Sequence, residues 1–240
     1  MAALCAFEVA REYFDLADPN NAKFFFDIAA NLYRQEGWVT LLWEVLGYLR
    51  ECSRNLDALK DFVEFSLEMV ALPVTSYENS GNLRNKNYGP GGPATISGRE
   101  SIHQEVFTLV CREAELLSST EGSGFKLATD SPLHLEIDLV SPLRPVLLAS
   151  VAFHDQMIKP HALCSFTLSL LSHLPLPVEI DHLEVQFNQS TCNFVIRNSQ
   201  RPLWASASNT VKSGSQVENA PLLVLVPNNW LRLTYAIKSG

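Results

Sequence analysis

Residues 32–72 contain two helical patterns in immediate succession, and this stretch constrains the fold more than any other. In the first pattern, apolar side chains recur at i, i+3, i+4, i+7, i+8 and i+11. They form one stripe: Trp38, Leu41, Leu42, Val45, Leu46 and Leu49. The second pattern carries two apolar stripes that meet at Phe62. Because only residues 54–56 remain for a turn, we expect an antiparallel helical pair with neighbours on two sides and with Trp38 in its core.

Two further helical patterns precede this pair, over residues 3–16 and 22–35. Asp18 and Pro19 separate them, because a proline disfavours helical backbone at the residue before it. Gly37 is suited to end the second helix in a left-handed conformation. Two successive pairs of roughly forty residues each predict an N-terminal α-solenoid of helical hairpins resembling tetratricopeptide (TPR) repeats.

Residues 73–98 interrupt the helical pattern with a segment rich in Gly, Pro and Asn. Such a composition offers little apolar surface to bury, so we expect a mobile surface loop. The alternative is a partner-binding segment around Tyr88, since long loops sometimes carry binding sites. Helical spacing returns at Arg99, and the expected solenoid segment therefore covers residues 1–120.

The hydrophobic period changes to two in the second half of the chain. Alternation is typical of half-buried strands. We expect strands at residues 133–139, 146–154, 163–171, 180–187, 192–197, 222–226 and 231–238. Short strands separated by proline and polar turns predict an antiparallel immunoglobulin-like β-sandwich over residues 130–240. The fold class is thus a two-domain α+β chain.

Composition and charge exclude several classes of function. The 240 residues carry a formal net charge of -8 without a basic patch, which argues against nucleic-acid binding. No apolar run approaches the ~18 residues that a membrane-spanning helix requires. The five cysteines are far apart and odd in number, so we expect buried free thiols in a reducing, cytoplasmic compartment rather than disulfides or a zinc site.

Motifs for catalysis are absent from the sequence. It contains no phosphate-binding loop, no nucleophile elbow, no zinc-protease motif and no dinucleotide fingerprint. A Cys-His or Ser-His arrangement assembled through space remains open at this point. We therefore expect no enzyme, no cofactor and no metal.

Trp43 is the most informative candidate for a partner contact. It lies about 120° from the centre of the Trp38 to Leu49 stripe and shares its side of the helix with Arg50 and Arg54. An aromatic side chain among arginines is typical of an interface, so these three residues form the predicted partner-binding site. The alternative is that Trp43 packs against the neighbouring helical pair, because solenoid helices bury two faces.

The helical half contains two distinctive motifs, YRQEGWVTLL at residues 33–42 and LKDFVEFSLE at residues 59–68. They resemble the foie gras domain in the subunit 11 family of the trafficking protein particle (TRAPP) complex. One follows the family's Y-R-x-E-G-W-x-x-L-L pattern: Tyr33, Arg34, Glu36, Gly37, Trp38, Leu41 and Leu42. The other follows its L-x-D-[FY]-[VI]-x-[FY]-S-L-E pattern: Leu59, Asp61, Phe62, Val63, Phe65, Ser66, Leu67 and Glu68. The likeness continues into the strand half, where LPLPVEIDHLEVQFN looks like the plant members.

The resemblance implies a non-enzymatic scaffold that supports ER-to-Golgi vesicle transport and autophagy. Its partners would be other TRAPP subunits, and its location would be cytoplasmic and peripheral at the Golgi or the ER–Golgi interface. Family members are several times longer, so we expect a short form or fragment with an incomplete sandwich whose strand at residues 231–238 has an unpaired edge. The alternative function is a generic helical-repeat adaptor that binds a peptide motif.

Overall fold

The computed structural model describes residues 2–73, 88–111, 133–138, 140–154, 163–189, 192–198, 216–220 and 223–238. The chain forms two compact units: residues 1–146 with 173–175, and residues 147–172 with 176–240. Helices occupy the first unit and strands the second, so the fold is α+β. The predicted domain limits at residues 120 and 130 stay a prediction, because residues 112–132 lie outside the described part of the chain.

Five helices form the described part of the first unit. They are α1 (Ala2–Asp15), α2 (Pro19–Glu36), α3 (Val39–Asn55), α4 (Leu59–Ala71) and α5 (Ile96–Cys111). The chain turns at Asp18 and α2 ends at Gly37 with φ +69°, as predicted. The cap of α2 was not predicted: the Asp18 side chain accepts a hydrogen bond from the backbone N–H of Asn21 at 3.2 Å, and the helix begins at Pro19. Each helix contacts the next along the chain.

A cluster of aromatic rings joins the first three helices. The rings of Phe26 and Tyr48 stack with centroids 4.7 Å apart, and Phe7 and Phe14 pack edge-on against Tyr48 at 5.9 and 5.1 Å. Aromatic pairs at these distances add attraction beyond the burial of their area. Tyr48 of α3 is thereby held by side chains from both α1 and α2.

The rotation of α3 differs from the one predicted for the stripe. Trp38 lies at the N-cap position of α3 and is 49% exposed, and Leu41 in the first turn is also exposed. The prediction that Trp38 belongs to the core is therefore wrong. The buried face comprises Leu42, Trp43, Val45, Leu46 and Leu49, because α3 has neighbours on two sides and its buried arc turns toward both.

Eight strands lie in the described part of the second unit. They are β1 (Leu147–Phe153), β2 (Leu163–Ser172), β3 (Val178–Glu179), β4 (His182–Val185), β5 (Phe194–Asn198), β6 (Gln216–Ala220), β7 (Val224–Leu225) and β8 (Trp230–Lys238). They form a three-stranded sheet β1-β2-β8, a pair β3-β7 and a three-stranded sheet β4-β5-β6. The ladder between β2 and β8 is antiparallel and pairs Leu163 with Lys238 and Leu171 with Trp230.

The core of this unit lies between the two three-stranded sheets. Phe166 of β2 meets Phe194 and Ile196 of β5, and all three are buried. Phe166 and Phe194 have ring centroids 5.6 Å apart, and Phe194 also contacts Tyr235 of β8 at 5.4 Å. Alternation along β2 and β8 therefore places one face of each strand toward the core, as predicted.

Three features of the second half of the chain differ from the prediction. Residues 133–138 form no strand, although their hydrophobicity alternates, because alternation produces a strand only where a neighbour completes the hydrogen-bond ladder. Strand β6 was not predicted from its polar sequence QVENA. It pairs with β5 in parallel, so the sheets are not purely antiparallel.

Candidate functional site

Trp43, the proposed interface residue, is buried inside the helical unit. It is 4% exposed, and its indole Nε1 donates a hydrogen bond to the carbonyl of Gly92 at 2.9 Å. The role of Trp43 in partner binding stays a prediction, and in this structure its indole is enclosed by residues of its own unit. The alternative interpretation, that Trp43 packs within the fold, agrees with its environment, although a segment after α4 supplies the contact.

Residues 88–95 pack closely against α3. A Cβ built on Gly47 would lie 2.7 Å from the backbone nitrogen of Gly91, and one built on Gly91 would lie 2.6 Å from Met69 Cε. Only glycine permits so close an approach between a helix and a second backbone. Residues 88–95 thus pack on α3 and α5 begins at Ile96, whereas residues 74–87 lie outside the described part of the chain; the mobility of residues 73–98 stays a prediction.

Arg50 and Arg54 both bind Glu105 of α5. Arg50 Nη2 lies 2.7 Å from Glu105 Oε2, and Arg54 Nη2 lies 2.5 Å from Oε1. Both guanidinium groups also lie over the Phe62 ring, about 5 Å from its centroid. The structure thus brings the two predicted arginines together, but it uses them to attach α5 to α3.

Arg50 is held from a second side as well. It is 7% exposed, and its Nε donates to Ser66 Oγ of α4 at 2.7 Å. Burial lowers the pKa of Arg50, while the neighbouring Glu105 raises it. A guanidinium that is enclosed in this way by α4 and α5 contributes to the fold and offers little surface to a partner.

A second charged set connects α2 with α4. Arg34 forms two hydrogen bonds with Glu68, and Lys23 forms an ion pair with Asp61. Desolvation raises the pKa of Asp27, and the charges of Lys23 and Arg34 oppose that shift. Arg34, Asp61 and Glu68 belong to the two motifs of the sequence, so their spacing reflects a contact between helices.

Groups that could perform chemistry are dispersed in the described part of the chain. No set of three or more His, Cys, Asp or Glu side chains is grouped there to hold a metal ion. Four thiols in that part are free, and burial raises the pKa of Cys52 to about 12, which suppresses its reactivity. His103 is buried against the ring of Phe107, and its Nδ1 has no hydrogen-bond partner among the described residues.

An exposed apolar face on α1 and α2 escaped the sequence analysis. On α1, Phe7, Ala10 and Phe14 form one apolar stripe that packs inward. A second stripe consists of Val9 and Tyr13 of α1 and of Leu16 directly after its end, and it faces away from that core. A test for two apolar stripes, as was applied to α4, would have found it.

None of the helices in the described part of the chain is long and apolar enough to cross a membrane.

Comparison with known proteins identifies a family for the helical half. Residues 1–72 match the family described as Foie gras liver health family 1. No solved structure matches the chain.

Curated relatives extend the match beyond the helices. The chain is 32% identical over 189 residues to trafficking protein particle complex subunit 11 of Homo sapiens, which covers 78% of this chain and 16% of the human protein. The subunits of Bos taurus and Gallus gallus are 31% and 30% identical over 80 residues, a third of this chain and 7% of theirs. This chain therefore spans a small part of the length of these relatives. The helical match and the longer human alignment together identify it as a member of the foie gras family that is similar to trafficking protein particle complex subunit 11.

Proposed function

We propose that this chain is a non-enzymatic scaffold of a TRAPP-like complex, acting in ER-to-Golgi vesicle transport and autophagy. The observation that carries the proposal is the human alignment. Its 189 residues exceed either compact unit, so the similarity to a complex subunit extends over helices and strands alike. The chain would work at the cytoplasmic face of the Golgi or the ER–Golgi interface, in contact with other subunits of that complex.

The chemistry of the charged residues supports a scaffold. Arg34, Arg50 and Arg54 each bind a carboxylate on another helix. Such pairs fix the relative positions of helices and leave the side chains little freedom for proton transfer. These three arginines therefore stabilise the arrangement of the helices, as expected of a scaffold that binds partners through its surface.

We also propose that the helical unit is a solenoid segment and the strand unit an immunoglobulin-like sandwich. Contacts between alternate helices support the first part: rings connect α1 with α3, ion pairs connect α2 with α4, and Glu105 connects α5 with α3. Stacked helical pairs produce such contacts between equivalent helices. The core between sheets β1-β2-β8 and β4-β5-β6 supports the second part.

Affinity purification tests the proposed function. The tagged 240-residue chain is expressed in cells, and the TRAPP subunits that copurify are quantified by mass spectrometry. Phe26→Asp, which places a carboxylate at a fully buried position of α2, provides the background of an unfolded helical unit. Enrichment of several TRAPP subunits above this background supports the proposal. Recovery only of unrelated proteins that share a linear motif would instead favour the peptide-binding adaptor.

A further inference from the structure

The pair of helices α1 and α2 exposes an apolar face on the side away from its core. Along α1 and the residue that follows it, apolar side chains recur at i, i+4, i+7, i+11 and i+14, the spacing of a coiled-coil seam: Ala2, Ala6, Val9, Tyr13 and Leu16. On α2, Phe25, Ile28 and Leu32 recur at i, i+3 and i+7 beside Phe24. We define the α1–α2 face by six of these residues: Val9, Tyr13, Leu16, Phe24, Phe25 and Ile28.

Ring contacts join the two helices into one surface. The rings of Tyr13 and Phe25 stack, with centroids 5.6 Å apart and planes 3° from parallel, and Phe24 contacts Phe25 edge-on at 5.2 Å. Leu16 is 75% exposed and Phe24 60%, and Val9 and Ile28 are exposed beside them. A contiguous apolar surface on two adjacent helices is typical of an interaction site, and its i, i+4, i+7 spacing matches the footprint of a helix.

The α3 and α4 pair shows how such a surface is covered. There α5 lies on the α3 and α4 pair, with its Ile102 and Val106 buried. Charged contacts orient it: Glu105 binds two arginines of α3, and Arg99 Nε donates to the Val70 carbonyl of α4 at 2.7 Å. A single helix with an apolar stripe and charges beside it therefore completes a helical pair within this fold.

Charge determines which helix would suit the α1–α2 face. Glu8, Glu12 and Asp15 lie about 60–120° around α1 from Val9, in the direction opposite to Tyr13, and form an acidic edge. Arg11 is 3.6 Å from Glu8, whereas none of the ion pairs among the described residues involves Glu12 or Asp15. A second copy of this chain would bring one acidic edge toward another, which opposes self-association.

We propose that the α1–α2 face binds one amphipathic helix of another subunit, through an apolar seam flanked by Lys or Arg that faces Glu12 and Asp15. The charges are the reverse of those at α5: Arg50 and Arg54 of α3 bind Glu105 of α5, whereas Glu12 and Asp15 of α1 would bind Lys or Arg of the partner helix. This inference rests on the proposed function, because the helix belongs to a partner in an assembly.

Two synthetic peptides test the proposal. Both are helical, about 18 residues long, with the same leucine seam, which is sufficient to span the face. One carries Lys at the flanking positions and the other carries Glu. Fluorescence anisotropy with the full chain should show that the Lys peptide binds at least about tenfold more tightly.

Matched variants of the chain locate the site. Leu16→Asp and Phe24→Asp should each lower the affinity for the Lys peptide by about tenfold or more. Val110→Asp, at an exposed apolar position of α5, should leave that affinity unchanged. Glu12→Gln with Asp15→Asn should reduce the preference for Lys over Glu. These positions are exposed, so the circular dichroism spectrum and the melting temperature of each variant should equal those of the parent chain. If a variant has a lower melting temperature, the Glu12→Gln, Asp15→Asn double variant is used in its place.

Three results would overturn the proposal. The first is equal affinity for the two peptides, and the second is unchanged affinity in the Leu16 and Phe24 variants. The third is a dimer in sedimentation that becomes a monomer in these variants, because a second copy of the chain would then occupy the face. The assay contains no TRAPP subunit. Its failure would therefore leave the copurification result intact, and a failed copurification would leave the peptide result intact.

Discussion

Arg34 on α2 and Glu68 on α4 form a bidentate ion pair, with Nε 2.6 Å from Oε1 and Nη2 2.7 Å from Oε2. Glu68 is buried, and its desolvation raises its pKa, whereas Arg34 opposes that shift. A carboxylate in this position is tolerated because a fork of two donors replaces its water. The pair connects the two family motifs through space, 34 residues apart in the chain.

Removing Arg34 should destabilise the helical unit strongly. In Arg34→Met the carboxylate of Glu68 stays buried without its partner, and we expect a loss of about 3 kcal/mol in the free energy of unfolding. Urea denaturation followed by circular dichroism measures it. The double variant Arg34→Met, Glu68→Leu should recover most of the loss, because the buried charge is gone. A double variant as unstable as the single one would contradict this account.

Truncation of Trp38 and of Trp43 should reduce the free energy of unfolding by very different amounts. Trp43→Ala removes a buried ring and should cost about 3–5 kcal/mol. Trp38→Ala, at a half-exposed N-cap position, should cost less than about 1 kcal/mol. Thermal and chemical unfolding of both variants decides the matter, and a larger loss for Trp38→Ala would support the rotation predicted from the sequence alone.

Gly47→Ala should reverse the usual sign of a glycine substitution in a helix. Alanine is normally favoured there by roughly 0.5–1 kcal/mol. Here its Cβ would meet the backbone of Gly91, so we expect a net destabilisation of about 1–3 kcal/mol. Hydrogen exchange at residues 88–95 should accelerate at the same time. A stabilised variant with unchanged exchange would show that residues 88–95 do not pack on α3.

Acid should weaken the helical unit through His103. Burial lowers the pKa of His103 in the folded chain, so the unfolded chain binds the proton more readily. Stability is therefore complete above the unfolded pKa of about 6.5 and is lost as the pH falls toward the folded value.

The contribution of His103 can be separated from that of other groups. His103→Phe keeps a ring against Phe107 and should flatten the decline in unfolding midpoint between pH 7 and pH 5. His154→Gln, at an exposed histidine of the strand unit, should leave that decline unchanged. An equal decline in the parent chain and in His103→Phe would exclude His103 as its source.

Local signals in the sequence were sufficient to locate most elements. The turn at Asp18 and the left-handed end at Gly37 depend on neighbouring residues alone, and both occur where predicted. The strands β2 and β8 were found from alternation, because each has one face in the core. The two motifs also pointed to the family, although they gave no indication that Arg34 binds Glu68.

Tertiary structure decided which face of each element is buried and which charges meet. Helical periodicity reports the spacing of apolar residues but not the direction of their neighbours, so Trp38 and Trp43 exchanged their predicted environments once residues 88–95 packed beside α3. Arg50 and Arg54 were predicted to lie on a partner-binding surface, but in the structure both bind Glu105 of α5. Residues 133–138 alternate but pair with no strand in the described part of the chain, whereas the polar β6 pairs with β5. The sequence by itself determined the local elements and the family, because both depend on nearby residues; burial and pairing depend on residues far apart in the chain, and only the folded structure brings those together.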